Sequence, residues 1–496
     1  MRRGSDPAPL HRGRHRAVRP DQVGRALRRA LVATVAPALV LAAAAWIFVK
    51  AESGKALDVA LNTDGLLWLI IGIVVVWTLW IALICRTYAR HRAHTASRPL
   101  RIAGAFGVLV MCAAVTAPMA VGARYAVVQR DLIGSIFDDE VSATAPEVTK
   151  ANPWGNRDRV NVLLLGGDGA VHRPGVRTDS VILASIEVKT GKTVLFSLPR
   201  NLRRVPFKPG SKLAQLYPDG FTDGSTAPNA NYFLNAVYRD VPLLHPGVLG
   251  RTDNEGADAI KLAVSGALGL RVDYYVLVNL AGFQQLVDAM GGITVNINEP
   301  VPIGGNTDAH IPPDDYLQPG PDQRLNGFQA LWFTRGRYGS TDYHRMARQR
   351  CAINAIVEEA SPITMLKRYT RLAKASKEIV RTDIPRKLLH AFVDLANEVK
   401  GKPIKSVSFE LSPQFDPNDP DYDYMHTAVQ AALFPNKAPA STATSTSTPG
   451  AAGSSATAGS TPSGTSTEKI PSQASKADDD CAYHPASSTS QAGPTP

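Results

Sequence analysis

Arg159-Val160-Asn161-Val162-Leu163-Leu164-Leu165-Gly166-Gly167-Asp168 reads as a buried strand that runs into a tight loop, because a short apolar run is stopped by paired glycines. Outward from it, Ser180 to Val188 forms a second strand, and Lys189-Thr190-Gly191-Lys192 turns it into a third, Thr193-Val194-Leu195-Phe196-Ser197. Asp168, Asp179 and Arg200 therefore fall at or beside strand ends, where a sheet holds side chains rigidly. Strand-like and helix-like segments then alternate. Helices are predicted over 256–268, 282–290 (stopped by Gly291-Gly292), 327–333, 341–359, 384–399 and 424–434, and strands over 273–278, 293–297 and 406–411. A Pro- and Gly-rich excursion fills 299–324, and the whole pattern predicts an α/β domain over 157–434.

The chain has 496 residues and a formal charge of +11. Much of the basic excess lies in the first thirty residues, from Arg2 to Arg29, and between two apolar stretches, so it marks membrane topology better than it marks nucleic acid. Three runs, near 31–49, 65–85 and 102–124, reach the length of about 20 residues needed to span a bilayer. Arg86, Arg90, Arg92, Arg98 and Arg101 crowd the second connection, whereas Lys50 and Lys55 in the first are balanced by Glu52, Asp58 and Asp64. The expected organisation is a cytoplasmic basic segment (1–30), three transmembrane helices (31–124), a stalk and linker (125–156), an extracellular domain (157–434) and a disordered Ser/Thr/Pro/Ala/Gly-rich tail (435–496). Cys85 and Cys112 lie in or beside spans. Cys351 and Cys481 lie outside, where an oxidising exterior permits a disulfide that the sequence leaves open.

The external domain repeats one kind of chemistry. Carboxylates Asp168 and Asp179 flank a single loop and suit a hard divalent cation shared with phosphates; Asp168 equally suits a Gly-Gly-Asp-Gly turn. Arg177, Arg200, Arg335 and Arg337 sit close to core elements and call for an anionic partner, with Lys212 as a further cation. Asp342, Arg345 and Gln349 share a helix face, whereas Arg348 and Arg350 read as a solvent-facing ion-pair ladder. His344 points away from the Asp342 face and has no His or Cys spaced to complete a zinc site. With no phosphate loop, nucleophile elbow or zinc helix, the site is expected to work by charge and position.

Taken in order, Asn161 to Asp168, Arg177-Thr178-Asp179-Ser180, Ser197-Leu198-Pro199-Arg200, Tyr275 to Gly292, Leu325 to Arg337 and Asp342 to Gln349 resemble the LytR-CpsA-Psr family over roughly 157–360. The resemblance implies an αβα sandwich around a central mixed β-sheet with an apolar pocket for a polyprenyl chain. It also implies a Mg-dependent phosphotransferase that moves a glycopolymer from a polyprenyl diphosphate carrier to peptidoglycan through a phosphodiester link. Position by position, Asp168 and Asp179 would bind Mg²⁺ (or Mn²⁺), and Arg177, Arg200, Arg335 and Arg337 would clamp the diphosphate. Arg345 and Gln349 would line the same site, and Arg204 and Lys212 would add phosphate contacts. Catalysis would rest on Asp179, Arg200, Arg335 and Arg337. The attacking group would be a peptidoglycan hydroxyl, with Asp342 the nearest candidate for a base.

The partners so implied are the lipid-linked donor, peptidoglycan and the bilayer, without nucleic acid. An Ala- and Arg-rich, Lys-poor composition suggests an actinobacterial cell, with arabinogalactan as the leading polymer. Asn201 stands where the family usually has Asp. Leu213-Ala214-Gln215 replaces an Asn-containing run, and the segment up to about 255 is longer than the family pattern. Two other readings are a membrane-anchored sensor of lipid-linked glycan and a polyprenyl diphosphate hydrolase. Deleting residues 1–25 separates the first from a transferase, which would keep its activity.

Overall fold

The computed structural model describes residues 62–91, 98–137, 140–167, 177–307, 309–359, 380–435, 475–476 and 481–484. The chain divides into two compact units, Met1–Gly134 and Ser135–Pro496. In the first, helices α1 (Thr63–His91) and α2 (Arg98–Ile136) contain stretches with mean hydropathy of 2.7 and 2.0, long and apolar enough to cross a membrane. Trp68 and Ile102, each 70% exposed, would be costly in water and at ease in lipid. Trp77 Nε1 donates to Thr116 Oγ1 at 3.0 Å, a polar tie between the two helices. The span expected near 31–49 lies outside the described residues.

The second unit is built on a seven-stranded sheet in the order β11-β10-β3-β2-β1-β4-β9. Its strands are β1 (Arg159–Gly167), β2 (Thr178–Glu187), β3 (Thr193–Leu198), β4 (Tyr274–Asn279), β9 (Val380–Thr382), β10 (Lys405–Ser408) and β11 (Ser475–Lys476). β1 pairs antiparallel with β2 and parallel with β4, so the sheet is mixed, as expected. One face is covered by α4 (Leu234–Leu244), α5 (Glu255–Leu268) and α10 (Tyr422–Leu433). Against them pack Leu163, Val181, Leu183 and Phe196, all buried. α5 comes close because a Cβ at Gly266 would collide with the Pro206 carbonyl.

The other face carries α6 (Leu280–Met290), α7 (Gly327–Arg335), α8 (Asp342–Glu359) and α9 (Leu389–Val399). A short helix, α3 (Lys212–Leu216), precedes α4. The 299–324 excursion is more ordered than its composition predicts. It forms β6 (Val301–Asn306), antiparallel to β7 (Ile311–Leu317), and β8 (Gly320–Leu325), which pairs with β5 (Ile293–Ile297). Gly304 and Gly305, both at φ 77°, supply the left-handed backbone that bends β6.

The tail departs from expectation at two places. β11 adds to the sheet edge by pairing Lys405 with Lys476 and Ser406 with Ser475. Cys481 is disulfide-bonded to Cys351 on α8, with a Cα–Cα distance of 5.5 Å. Asn296 and Asn298 hold the segment by donating Nδ2 to the Cys481 and Ala482 carbonyls at 2.9 and 3.0 Å. A covalent link and amide clasps order these residues, which their composition cannot do through apolar burial.

Candidate active site

Antiparallel pairing brings the first two charged residues together. Val181 lies opposite Leu198, so continuing the register past the ends of β2 and β3 sets Asp179 beside Arg200. Arg200 Nη1 donates to Asp179 Oδ1 at 2.9 Å, and Asn235 Nδ2 donates to the same oxygen at 3.2 Å. From α8, Arg345 Nη2 donates to the Asp179 carbonyl at 3.1 Å and lies 3.0 Å from Asp342 Oδ1, which is 3.5 Å from Arg200 Nε. Asp342 is therefore committed to orienting two guanidinium groups, and this disfavours the expected role as a base. Arg345 is 4% exposed, and its buried Nε has no hydrogen-bond partner among the described residues.

Burial raises the Asp179 carboxyl, but the adjacent Arg200 guanidinium, with Asn235 and Arg345, outweighs it and holds the group below the ordinary carboxylate range. Burial is also the main cause of the lowered Arg345 value, opposed by Asp342.

Arg335 and Arg337 arrive from the end of α7. Asn326 and Gln329 form a capping box at the start of that helix, and Asp288 on α6 accepts from Gly327 N at 2.6 Å. Gly336 lets the Arg335-Gly336-Arg337 segment lie against β6, because a Cβ there would collide with the Pro302 carbonyl. The Arg335 guanidinium sits 5.4 Å from the Trp332 ring centroid. Both arginines are exposed, and their guanidinium groups make no hydrogen bond or ion pair among the described residues.

These groups border a cavity of about 500 Å³. Asp179, Arg200, Arg335, Arg337, Arg345 and Gln349 line it, with Asn279 and the Gly304–Gly305 bend. Ser180, Asn306, Thr307 and Thr334 add polar groups, and much of the remaining wall is apolar, including Leu164, Ile182, Val276, Val278, Phe283, Leu331, Ile353 and Ile356. Among the described residues, four guanidinium groups and two carboxylates, Asp179 and Asp342, leave a surplus of two positive charges beside a largely apolar chamber.

Some expected site residues are placed elsewhere. Arg177 lies just before β2, where its Nη2 donates to Asn231 Oδ1 at 2.8 Å, and it does not line the cavity. Exposed Arg204 and Lys212 also lie off the lining, because the turn after β3 leads them away toward α3. Asp168 lies outside the described residues. Arg348 and Arg350 are 8% and 5% exposed, so they are buried rather than a solvent-facing ladder. Arg348 Nε donates to the Phe333 carbonyl at 2.7 Å, Nη2 donates to the Gly336 carbonyl, and Nη1 donates to Glu299 at 3.2 Å. Burial pulls the Arg348 guanidinium down to about 10, against the opposing influence of Glu299.

Sequence reasoning missed Asn235, Trp332 and the Gly304–Gly305 bend. The glycine pair was the one visible signal.

Among the described residues no group of three or more His, Cys, Asp or Glu side chains forms a metal cage. Asp179 Oδ2 makes no hydrogen bond among them, so one carboxylate oxygen is open to a cation completed by substrate phosphates, the usual habit of Mg²⁺.

Residues 134–434 match the LytR_cpsA_psr family. The chain belongs to this family. It is 31% identical over 231 residues to Biofilm regulatory protein A of Streptococcus mutans, a match covering 45% of this chain and 50% of that one. It is 29% identical over 231 residues to a polyisoprenyl-teichoic acid–peptidoglycan teichoic acid transferase, TagU, of Oceanobacillus iheyensis, covering 46% of this chain and 60% of that one. The chain thus spans about half the length of the first of these relatives and somewhat more of the second. The crystal structure of TagV from B. subtilis aligns with a TM-score of 0.38 at 23% identity, over 55% of this chain and 97% of that one.

Proposed function

We propose that this protein transfers a glycopolymer from a polyprenyl diphosphate carrier to peptidoglycan, forming a phosphodiester link. The observation that carries this reading is the joining of an aliphatic chamber to a mouth with two surplus positive charges. A diphosphate diester carries two negative charges, and its polyprenyl chain needs an apolar lining. TagU, named for a transfer from a polyisoprenyl carrier to peptidoglycan, supports the same reading.

In this reaction the acceptor hydroxyl oxygen forms a bond to the phosphorus that bears the glycopolymer. The bond from that phosphorus to the bridging oxygen breaks, polyprenyl phosphate leaves with the electron pair, and the hydroxyl proton passes to solvent. Arg335 and Arg337, which pair with no anion among the described residues, would take the non-bridging oxygens. Arg200 and Arg345, held by Asp179 and Asp342, are preorganised for the charge that develops on the leaving phosphate. The aliphatic wall positions the lipid and excludes water. Mg²⁺, held through Asp179 and the phosphates, would neutralise charge on the diphosphate.

The apolar helices preceding the domain would hold it at the membrane that carries the donor, with the domain outside. Arabinogalactan remains the leading polymer on compositional grounds. The test uses the full chain in detergent with labelled lipid-linked donor and peptidoglycan. Label is expected to become covalently attached to peptidoglycan. Release of soluble label alone would make the protein a hydrolase and overturn the reading.

A further inference from the structure

Helix α8 has a second chemical face. Arg345 and Gln349 look onto the diphosphate cavity, whereas His344, Arg348 and Cys351 line a separate pocket of about 250 Å³. Their spacing of four and three residues puts them on one stripe of the helix. The Ile297, Phe333 and Ala347 side chains and the Cys351–Cys481 disulfide contribute its apolar wall, and Glu299, His344 and Arg348, with Asn296 and Asn298, its polar rim. His344 Nδ1 lies 2.9 Å from Glu299 Oε1 and 3.2 Å from Ser340 Oγ, and both Glu299 and His344 are about half exposed.

This pocket is joined to the diphosphate site through one residue. Arg348 donates to the Gly336 carbonyl, and Gly336 is the residue between Arg335 and Arg337. The pocket's polar rim therefore backs directly onto the segment that carries the two exposed arginines.

The chemistry separates ligand classes. Glu299 is already paired with Arg348 and His344, so among the described residues the pocket shows neither the surplus positive charge of a phosphate site nor a demand for a cation. Carboxylate and imidazole groups above an apolar floor suit a neutral ring with one hydrophobic face and hydroxyls at its edge. The volume holds a single ring and falls short of the roughly 300 Å³ at which drug-sized pockets begin. We propose that this second pocket seats one pyranose residue of the acceptor glycan, behind the segment that carries Arg335 and Arg337. The inference rests on the transferase reading and names the place of its second substrate.

Two variants in the full chain test it, His344→Ala and Ala347→Leu, the second narrowing the pocket without touching a charge. The probe is a soluble peptidoglycan disaccharide titrated against labelled lipid-linked donor. The acceptor KM is expected to rise about tenfold in His344→Ala, the size of one lost hydrogen bond, and at least as much in Ala347→Leu, whose added side chain takes the place of the ring, while the donor KM stays within about twofold in both. An unchanged acceptor KM in both variants overturns the proposal.

A second measurement, binding of the disaccharide alone by ligand-observed NMR, separates the two failures. Binding to the wild type that is weakened by Ala347→Leu supports the pocket even if no transfer is seen, and the missing transfer then counts against the reaction. Absence of binding to the wild type, or binding that Ala347→Leu leaves unchanged, counts against the pocket whatever the transfer assay gives.

Discussion

Leu163, Val181 and Leu183 point to one face of the central sheet and Leu164, Ile182 and Val276 to the other, yet only the second set borders a cavity. The two sets are alike in side-chain type and are paired by the same register, Leu163 with Leu183 and Leu164 with Ile182. The difference lies in the layer above. On the filled face, Gly266 brings the α5 backbone against Pro206, and small residues such as Ala259 and Ala263 close the space. On the hollow face, large side chains (Phe283, Leu331 and Ile353) stand around a gap. Hydrophobic patterning sets which way a residue points, and the packing of the opposing layer decides whether it becomes core or pocket wall.

The sharpest way to break this comparison is Leu183→Ala. It should cost about 2–5 kcal/mol of stability, because the filled face cannot collapse around the deletion. Urea unfolding measures it, and a loss under about 1 kcal/mol would mean that this face is not tightly packed.

Arg200→Ala acts at the charged mouth of the hollow face. It should slow transfer about 10²–10³-fold, roughly 3–4 kcal/mol of barrier, with a much smaller effect on unfolding. Near-normal transfer with the labelled donor would remove Arg200 from the assignment.

The same contrast explains what could be read from the sequence. The three strands after Arg159, the helix stopped by Gly291 and the long helix from Asp342 all occur near their predicted positions, because periodicity and glycine stops are local signals. The placement of Asp179 and Arg200 at strand ends was legible for the same reason, and the five-residue connection between β2 and β3 then fixes the register that pairs them. Lys212 and Arg204 were misplaced because the chain turns away after Arg200, a change of direction set by tertiary contacts: Asn235 N donates to the Arg200 carbonyl at 3.0 Å. Arg348 was misread because charge normally signals solvent, whereas here the Phe333 and Gly336 carbonyls at the end of α7 supply its buried partners. The lipid-sized gap has no local signature at all.

Val278→Phe sharpens the comparison from the hollow side. Overpacking a filled core typically costs about 1–3 kcal/mol, but here the added ring has a cavity to enter, so stability should change by less than about 1 kcal/mol. The donor KM should rise instead, by about tenfold if the ring displaces part of the lipid chain. A large loss of stability with an unchanged donor KM would show that the gap is not the lipid site.

The smallest expected effect is a pH dependence at the mouth. Asp179 has a folded pKa below the ordinary carboxylate value of about 3.9, chiefly because Arg200 overcomes the cost of burial. Its contribution is therefore complete above about pH 4 and is lost as pH falls through the lower folded value. In Arg200→Gln the opposing charge is gone and burial dominates, so the carboxylate becomes a cost at neutral pH that protonation relieves. The stability gap between the two proteins should thus narrow as pH falls from 7 to 3. Because the Asp179 side chain is 34% exposed, the change should stay under about 1 kcal/mol. Parallel urea titrations at several pH values measure the gap. A gap that stays constant across that range would mean the Asp179–Arg200 pair is screened by water, leaving Arg200 as a substrate clamp whose orientation depends on Asp342.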